Sequence, residues 1–122
     1  MEVTYFFDSH AIVGMIKLDP QYKPFEQCEF FITQFNLAEV VYTVLRLFGE
    51  ERAKYICSRL RDSVAEVTDA DLLNAMKLRY ELKQRDLSYA DAIGYAVAQR
   101  LRIKILTGDK GFTGLPGVEL VV

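Results

Sequence analysis

The run Ser88-Tyr89-Ala90-Asp91-Ala92-Ile93-Gly94-Tyr95-Ala96-Val97-Ala98-Gln99-Arg100-Leu101-Arg102-Ile103-Lys104-Ile105-Leu106-Thr107-Gly108-Asp109 holds one complete passage from helix to strand. Ser88 is a helix cap, and the helix it opens is predicted to run to about Leu101. Ile103–Thr107 then changes to a short apolar run, which predicts a strand buried on both faces. The same grammar extends outward. Val3–Phe7 reads as a buried strand, with a short helix following from Ser9 to about Lys17. Asp19-Pro20 and Lys23-Pro24 punctuate a loop or broken helical turn, and Glu29–Gln34 is a second strand. Asn36 reads as the cap of a helix whose Leu37, Val40, Val41, Val44, Leu45 and Phe48 form one apolar stripe, closed by Gly49. Glu50 to about Leu60 is another helix, with Ala53, Ile56, Cys57 and Leu60 on one face. Ser63–Val67 reads as a third strand, Thr68 caps a helix to about Leu82, and Val118–Val122 makes a fifth strand. Strands alternating with helices predict a single α/β domain: a mostly parallel, five-stranded sheet with helices on both faces.

Composition narrows the function. At 122 residues, 51% hydrophobic and 12% aromatic, the chain has the make-up of one globular domain and not of a disordered tail. Its 15 basic and 17 acidic residues give a net charge of −2, which excludes coating nucleic acid by bulk charge. One histidine excludes a polyhistidine metal site. Cys28 and Cys57, far apart and in no CxxC pattern, exclude a disulfide scaffold or a thiolate zinc site and read as reduced cytosolic thiols. The acidic N-terminus is no signal peptide, and no apolar stretch approaches membrane-spanning length, so a cytoplasmic location is expected.

Ligands of open α/β sheets bind beyond the carboxyl ends of the strands. Asp8 directly follows the first strand there, and Asp109 follows the fourth, in Leu106-Thr107-Gly108-Asp109-Lys110-Gly111-Phe112. Glu39 lies in the first turn of the helix after the second strand, and Asp91 in the first turn of the helix before the fourth. Each has an ordinary explanation. Asp8 serves as an N-cap, Asp109 as a turn aspartate, and Glu39 and Asp91 as the third helical residues of capping boxes opened by Asn36 and Ser88. Thr68-Asp69-Ala70-Asp71 has the same box and no assigned chemistry, so the pattern alone is weak. What the ordinary explanations leave out is that all four acids fall on one edge. Such a cluster repels itself unless a cation offsets it. Mg²⁺ or Mn²⁺ suits an oxygen-only donor set, and such sites suit phosphodiester hydrolysis.

Phe7-Asp8-Ser9, Asn36-Leu37-Ala38-Glu39-Val40, Leu87-Ser88-Tyr89-Ala90-Asp91-Ala92 and Leu106 to Phe112 together resemble PIN domains, most closely VapC-type toxins of toxin–antitoxin pairs. Order, spacing and length fit over essentially the whole chain, residues 1–122. The resemblance implies a sheet of order 3-2-1-4-5 and a Mg²⁺- or Mn²⁺-dependent ribonuclease. It implies Asp8 and Asp91 as the principal metal ligands, with Glu39 and Asp109 completing the cluster, and Ser9 and Thr107 as hydroxyls that orient carboxylates or waters. It also implies a homodimer and a small antitoxin partner. His10 departs from the pattern, standing where a small polar residue is common. It reads as a partly exposed helix residue that could also touch substrate or tune a neighbouring acid.

For holding RNA, Lys77, Arg79, Lys83 and Arg85 form a basic run upstream of Ser88, and Lys110 follows a site acid. Glu81 and Asp86 interrupt that run, which equally fits a solvated helix face. Phe48 reads as core; Tyr42 and Tyr55 fit core or an interface. Two other functions stay in view: a PIN-like scaffold that does not cut, and a phosphoacceptor receiver domain. A receiver wants paired acids after the first strand and an acceptor aspartate after the third, where this chain has Phe7 before Asp8 and Thr68 after Val67. With the four site acids set aside, 13 acids stand against 15 bases, so the remainder is mildly basic.

Overall fold

The computed structural model describes residues 3–121; Val122, the expected end of the last strand, lies outside the described residues. Four strands, β1 (Thr4–Phe7), β2 (Glu29–Phe31), β3 (Lys104–Thr107) and β4 (Val118–Leu120), form one sheet of order β2-β1-β3-β4, all parallel. Five α-helices connect and cover them: α1 (Ser9–Ile16), α2 (Gln34–Phe48), α3 (Glu50–Leu60), α4 (Asp69–Glu81) and α5 (Tyr89–Leu101). The Pro20–Phe25 segment is a 3-10 turn capped by Asp19, which resolves the loop-or-broken-helix reading.

Strand side chains alternate between the two faces of a sheet. Phe6 and Ile105 sit in one core with the buried face of α5 and Ala75 of α4. Their neighbours Phe7 and Leu106 sit in the other, with residues of α1, α2 and α3. Both faces of the two central strands are therefore dry, which is why Tyr5–Phe7 and Ile105–Leu106 are unbroken apolar runs. Among the described residues, no helix is long and apolar enough to cross a membrane.

The sheet has four strands where five were expected. The segment expected at Ser63–Val67 supplies only a single parallel bridge, Ile32 to Val64. Two hydrogen bonds hold it, Ile32 N–H to the Ser63 carbonyl (3.0 Å) and Ala65 N–H to the Ile32 carbonyl (2.8 Å). The 3-10 turn at Arg61–Ser63 takes up the first expected strand residue, and the chain runs from Val64 to the Thr68 cap of α4 without further pairing. The order 3-2-1-4-5 survives with its outermost strand reduced to that bridge.

Two local readings are also corrected. Thr33, not Asn36, caps α2, and Asn36 is the third residue of its capping box. Glu39 is thus one turn further into the helix and has no capping duty. Phe48 is not core: it is 46% exposed at the end of α2, with Leu45 exposed on the same flank. The stripe was wider than the surface available to it, so Leu37, Val40 and Val44 are buried while that flank faces water.

Candidate active site

The register Phe7 to Leu106 sets the carboxyl ends of β1 and β3 side by side, and the Asp8 N–H continues the ladder to the Leu106 carbonyl (3.2 Å). Asp8 and Asp109 leave the sheet at this edge, the second turn of α2 brings Glu39 to it and the first turn of α5 brings Asp91. A cleft of about 530 Å³ results, lined by all four acids together with Ser9 and Ser88.

Each acid is held by a short local network. Asp8 is buried; one oxygen caps α1 through the Ala11 N–H (2.9 Å) and the other accepts the Thr107 hydroxyl. The same Thr107 hydroxyl accepts the Asp109 N–H (2.9 Å), so one side chain ties two acids together. Asp109 accepts the Gly111 N–H (2.8 Å), and Asp91 closes a capping box on the Ser88 N–H (3.0 Å). Glu39 accepts the Ser9 hydroxyl (2.5 Å), which in turn accepts the amide of Asn36 (3.2 Å). Asn36 is fully buried and was missed as a site residue, because the sequence pattern had assigned it to the cap. Its burial beside Ser9 needs tertiary structure to be seen.

A PIN domain family profile matches residues 5–118. The chain belongs to the PIN domain family. No protein of curated function matches it. Among solved structures, a toxin–antitoxin complex from Klebsiella pneumoniae is similar at 22% identity and TM-score 0.78, covering 97% of this chain and 98% of that one. VapBC2 from Rickettsia felis, bound to a DNA fragment from its promoter, is similar at 19% identity and TM-score 0.71, covering 97% of each chain. PAE2754 from Pyrobaculum aerophilum follows at 19% identity and TM-score 0.66, covering 99% and 92%. These likenesses show a shared fold over the whole length. PIN domains are in general nucleases that use divalent metal ions.

The electrostatics of this PIN domain fit such an ion. Burial pushes the Asp8 carboxyl up to about 7; the hydrogen bonds from Thr107 and Ala11 oppose the rise, and the charges of Asp91 and Asp109 add to it. Burial also raises Asp91, against the bonds from Ser88, with Asp109 adding to the rise and His10 easing it. Carboxylates that burden one another in a cleft, with no thiolate or imidazole pair among them, form a donor set for a hard cation. Among the described residues, no three acidic, His or Cys side chains already form a ligand group. The acids share one cleft, each turned toward its own support.

The PIN domain's basic residues are placed differently from its acids. Arg79 donates to the Leu87 carbonyl (3.0 Å) and lies 4.2 Å over the Tyr89 ring, fastening α4 to the start of α5. Arg85 donates to the carbonyls of Gly111 (3.2 Å) and Thr113 (2.5 Å), clasping the loop that carries Asp109. Lys83 lies 5.2 Å over Tyr80, and Lys77 and Lys110 are exposed. None of these five lines the cleft; the cation that does is Lys17, with His10 and Tyr22 on the same side. Lys17 is isolated in sequence, so no charge run marked it.

Proposed function

We propose that this PIN domain is a Mg²⁺- or Mn²⁺-dependent endoribonuclease, the toxin of a VapBC-type pair. The observation that supports it most is the meeting of Asp8, Glu39, Asp91 and Asp109, from four separate segments, in one cleft at the carboxyl edge of the sheet. Asp8 and Asp91 would chiefly hold a divalent ion, with Glu39 and Asp109 completing the set, and the ion would supply Lewis-acid charge for phosphodiester hydrolysis. The chain's own residues prepare the ground. Thr107 keeps Asp8 and Asp109 in fixed relation, Ser88 holds Asp91, and the Asn36–Ser9 pair aims Glu39.

An antitoxin and a second copy of the chain are the proposed protein partners, acting in the cytoplasm where the RNA is. Tyr42 and Tyr55, 65% and 60% exposed on α2 and α3, support a protein-covered face when taken with Leu45 and Phe48. A PIN-like RNA-binding scaffold without nuclease activity is the competing reading.

The test is incubation of the purified chain with structured RNA in Mg²⁺, in Mn²⁺ and in EDTA. Cleavage is expected with either ion and not with EDTA, and is lost in Asp8→Asn and Asp91→Asn. Cleavage that persists unchanged in both variants refutes the assignment, and binding without cleavage selects the scaffold.

A further inference from the structure

We propose that the His10–Lys17 flank of the cleft is a nucleotide subsite, where Lys17 takes an RNA phosphate and His10 holds the adjoining nucleotide beside the cleaved bond. The inference deepens the ribonuclease reading and rests on it.

One face of α1 makes this flank. His10, Val13, Gly14 and Lys17 all line the cleft, at the spacing of a single helical stripe that begins beside Asp8. From His10 to Lys17 the helix advances about 10 Å, at roughly 1.5 Å per residue. The stripe therefore leads away from the acids and ends on a positive charge. Lys17 is exposed and makes no ion pair among the described residues. Asp19 shares the cleft, but its carboxylate is engaged as the cap of the following 3-10 turn, accepting the Gln21 N–H (3.0 Å).

His10 is exposed yet fixed. Its Nδ1 pairs with the Tyr22 hydroxyl at 3.3 Å, which leaves Nε2 free for a ligand. Tyr22 is buried and reaches His10 only because two glycines make room. A Cβ on Gly14 would stand 2.4 Å from the Tyr22 ring. A Cβ on Gly108 would stand 2.5 Å from the Tyr22 hydroxyl and 2.8 Å from His10 Nδ1. A surface imidazole braced in this way loses little side-chain freedom on binding. Acids that repel RNA need a neighbouring cation to seat the strand, and Lys17 is the one facing the cleft.

The test is fluorescence anisotropy with a labelled single-stranded RNA of mixed sequence and Mg²⁺, on the full chain carrying Asp91→Asn so that the RNA survives. Adding Lys17→Ala or Lys17→Gln is expected to weaken binding about five- to tenfold at low salt and to flatten the log Kd against log salt slope by about 0.7, the value for one phosphate contact on a single strand. Adding His10→Ala is expected to weaken binding at pH 8 with the slope unchanged, and Tyr22→Phe to do so in smaller measure. Lys23→Ala, at an exposed lysine outside the cleft, is expected to change neither. The Lys17 backbone N–H caps α1 (2.9 Å to the Val13 carbonyl), so side-chain replacement leaves that cap in place. An unchanged slope in both Lys17 variants overturns the subsite. Should Asp91→Asn not bind, the salt slope of kcat/KM in the cleaving protein is read by the same criterion. Cleavage with an unchanged slope removes only the subsite; absence of both cleavage and binding removes the ribonuclease reading with it.

Discussion

Asp8 shows how a residue can be structurally ordinary and chemically exceptional at once. It caps α1 as an N-terminal aspartate should, and it is also the most deeply buried of the four acids. Its carboxyl is raised from 3.8 to about 7, chiefly by burial, so the folded protein binds a proton there that the unfolded chain releases. Stability from this group is thus highest in acid and is lost as pH rises through the interval from 3.8 to about 7. Asp8→Asn keeps an oxygen for the Ala11 N–H and removes the buried charge. In metal-free buffer at pH 8 it is expected to raise stability by about 2–4 kcal/mol, measured by urea denaturation, while abolishing cleavage. A loss of stability at pH 8 would show that Asp8 is tolerated there as a charge. Thr107→Val deletes the donor to Asp8 and the acceptor for the Asp109 N–H. It is expected to lower metal affinity or cleavage about 10–100-fold while the chain stays folded by circular dichroism.

The helices separate what the sequence made legible from what it hid. Helix existence, the parallel architecture and the edge where the acids gather were all readable, because periodicity and strand-end position are local properties. The third strand was not, since an apolar run does not reveal whether it finds a partner along its length, and Ser63–Val67 pairs with the sheet only through the Ile32–Val64 bridge. Glu39 was assigned to a box that Thr33 and Asn36 form instead, because two overlapping patterns competed and only packing chose between them. The control case behaved as a structural device. Asp71 closes the α4 capping box and also accepts Arg100 Nε of α5 (3.0 Å). Burial pushes the Asp71 carboxyl up, but the bonds from Arg100 and Thr68 outweigh it and leave it below its usual value. A lowered folded-state value means that the stabilisation is complete at neutral pH and is lost as pH falls below about 4 through the folded value. Asp71→Ala is expected to cost about 1–3 kcal/mol at pH 7 and clearly less at pH 3, with RNA cleavage unchanged per folded molecule. An equal loss at both pH values would mean that the ion pair contributes nothing and only the cap matters.

At the scale of the whole molecule, the net charge of −2 conceals a separation. Four acids are gathered at one edge of the sheet, Lys17 stands at the far end of α1, and the remaining bases are spread over a mildly basic surface. The fold tolerates that edge best when it is neutralised, by protons in acid or by a cation above it. On the proposed reading the two would compete for the same oxygens, so Mg²⁺ should matter most where protons have left. Since Asp8 holds its proton up to about 7, the rise in thermal midpoint on adding Mg²⁺ is expected to be small at pH 5.5 and to grow as pH passes through 7. Binding to the folded state alone is worth about 2.7 kcal/mol at a free ion concentration roughly a hundred times Kd, which sets the scale of the effect expected at pH 8 at that concentration. Asp91→Asn should remove most of this Mg²⁺-dependent rise, whereas Asp71→Asn, at the acid outside the cleft, should leave it intact. A rise that is equal at pH 5.5 and pH 8, or that survives Asp91→Asn, would mean that the ion stabilises the protein somewhere other than at this edge.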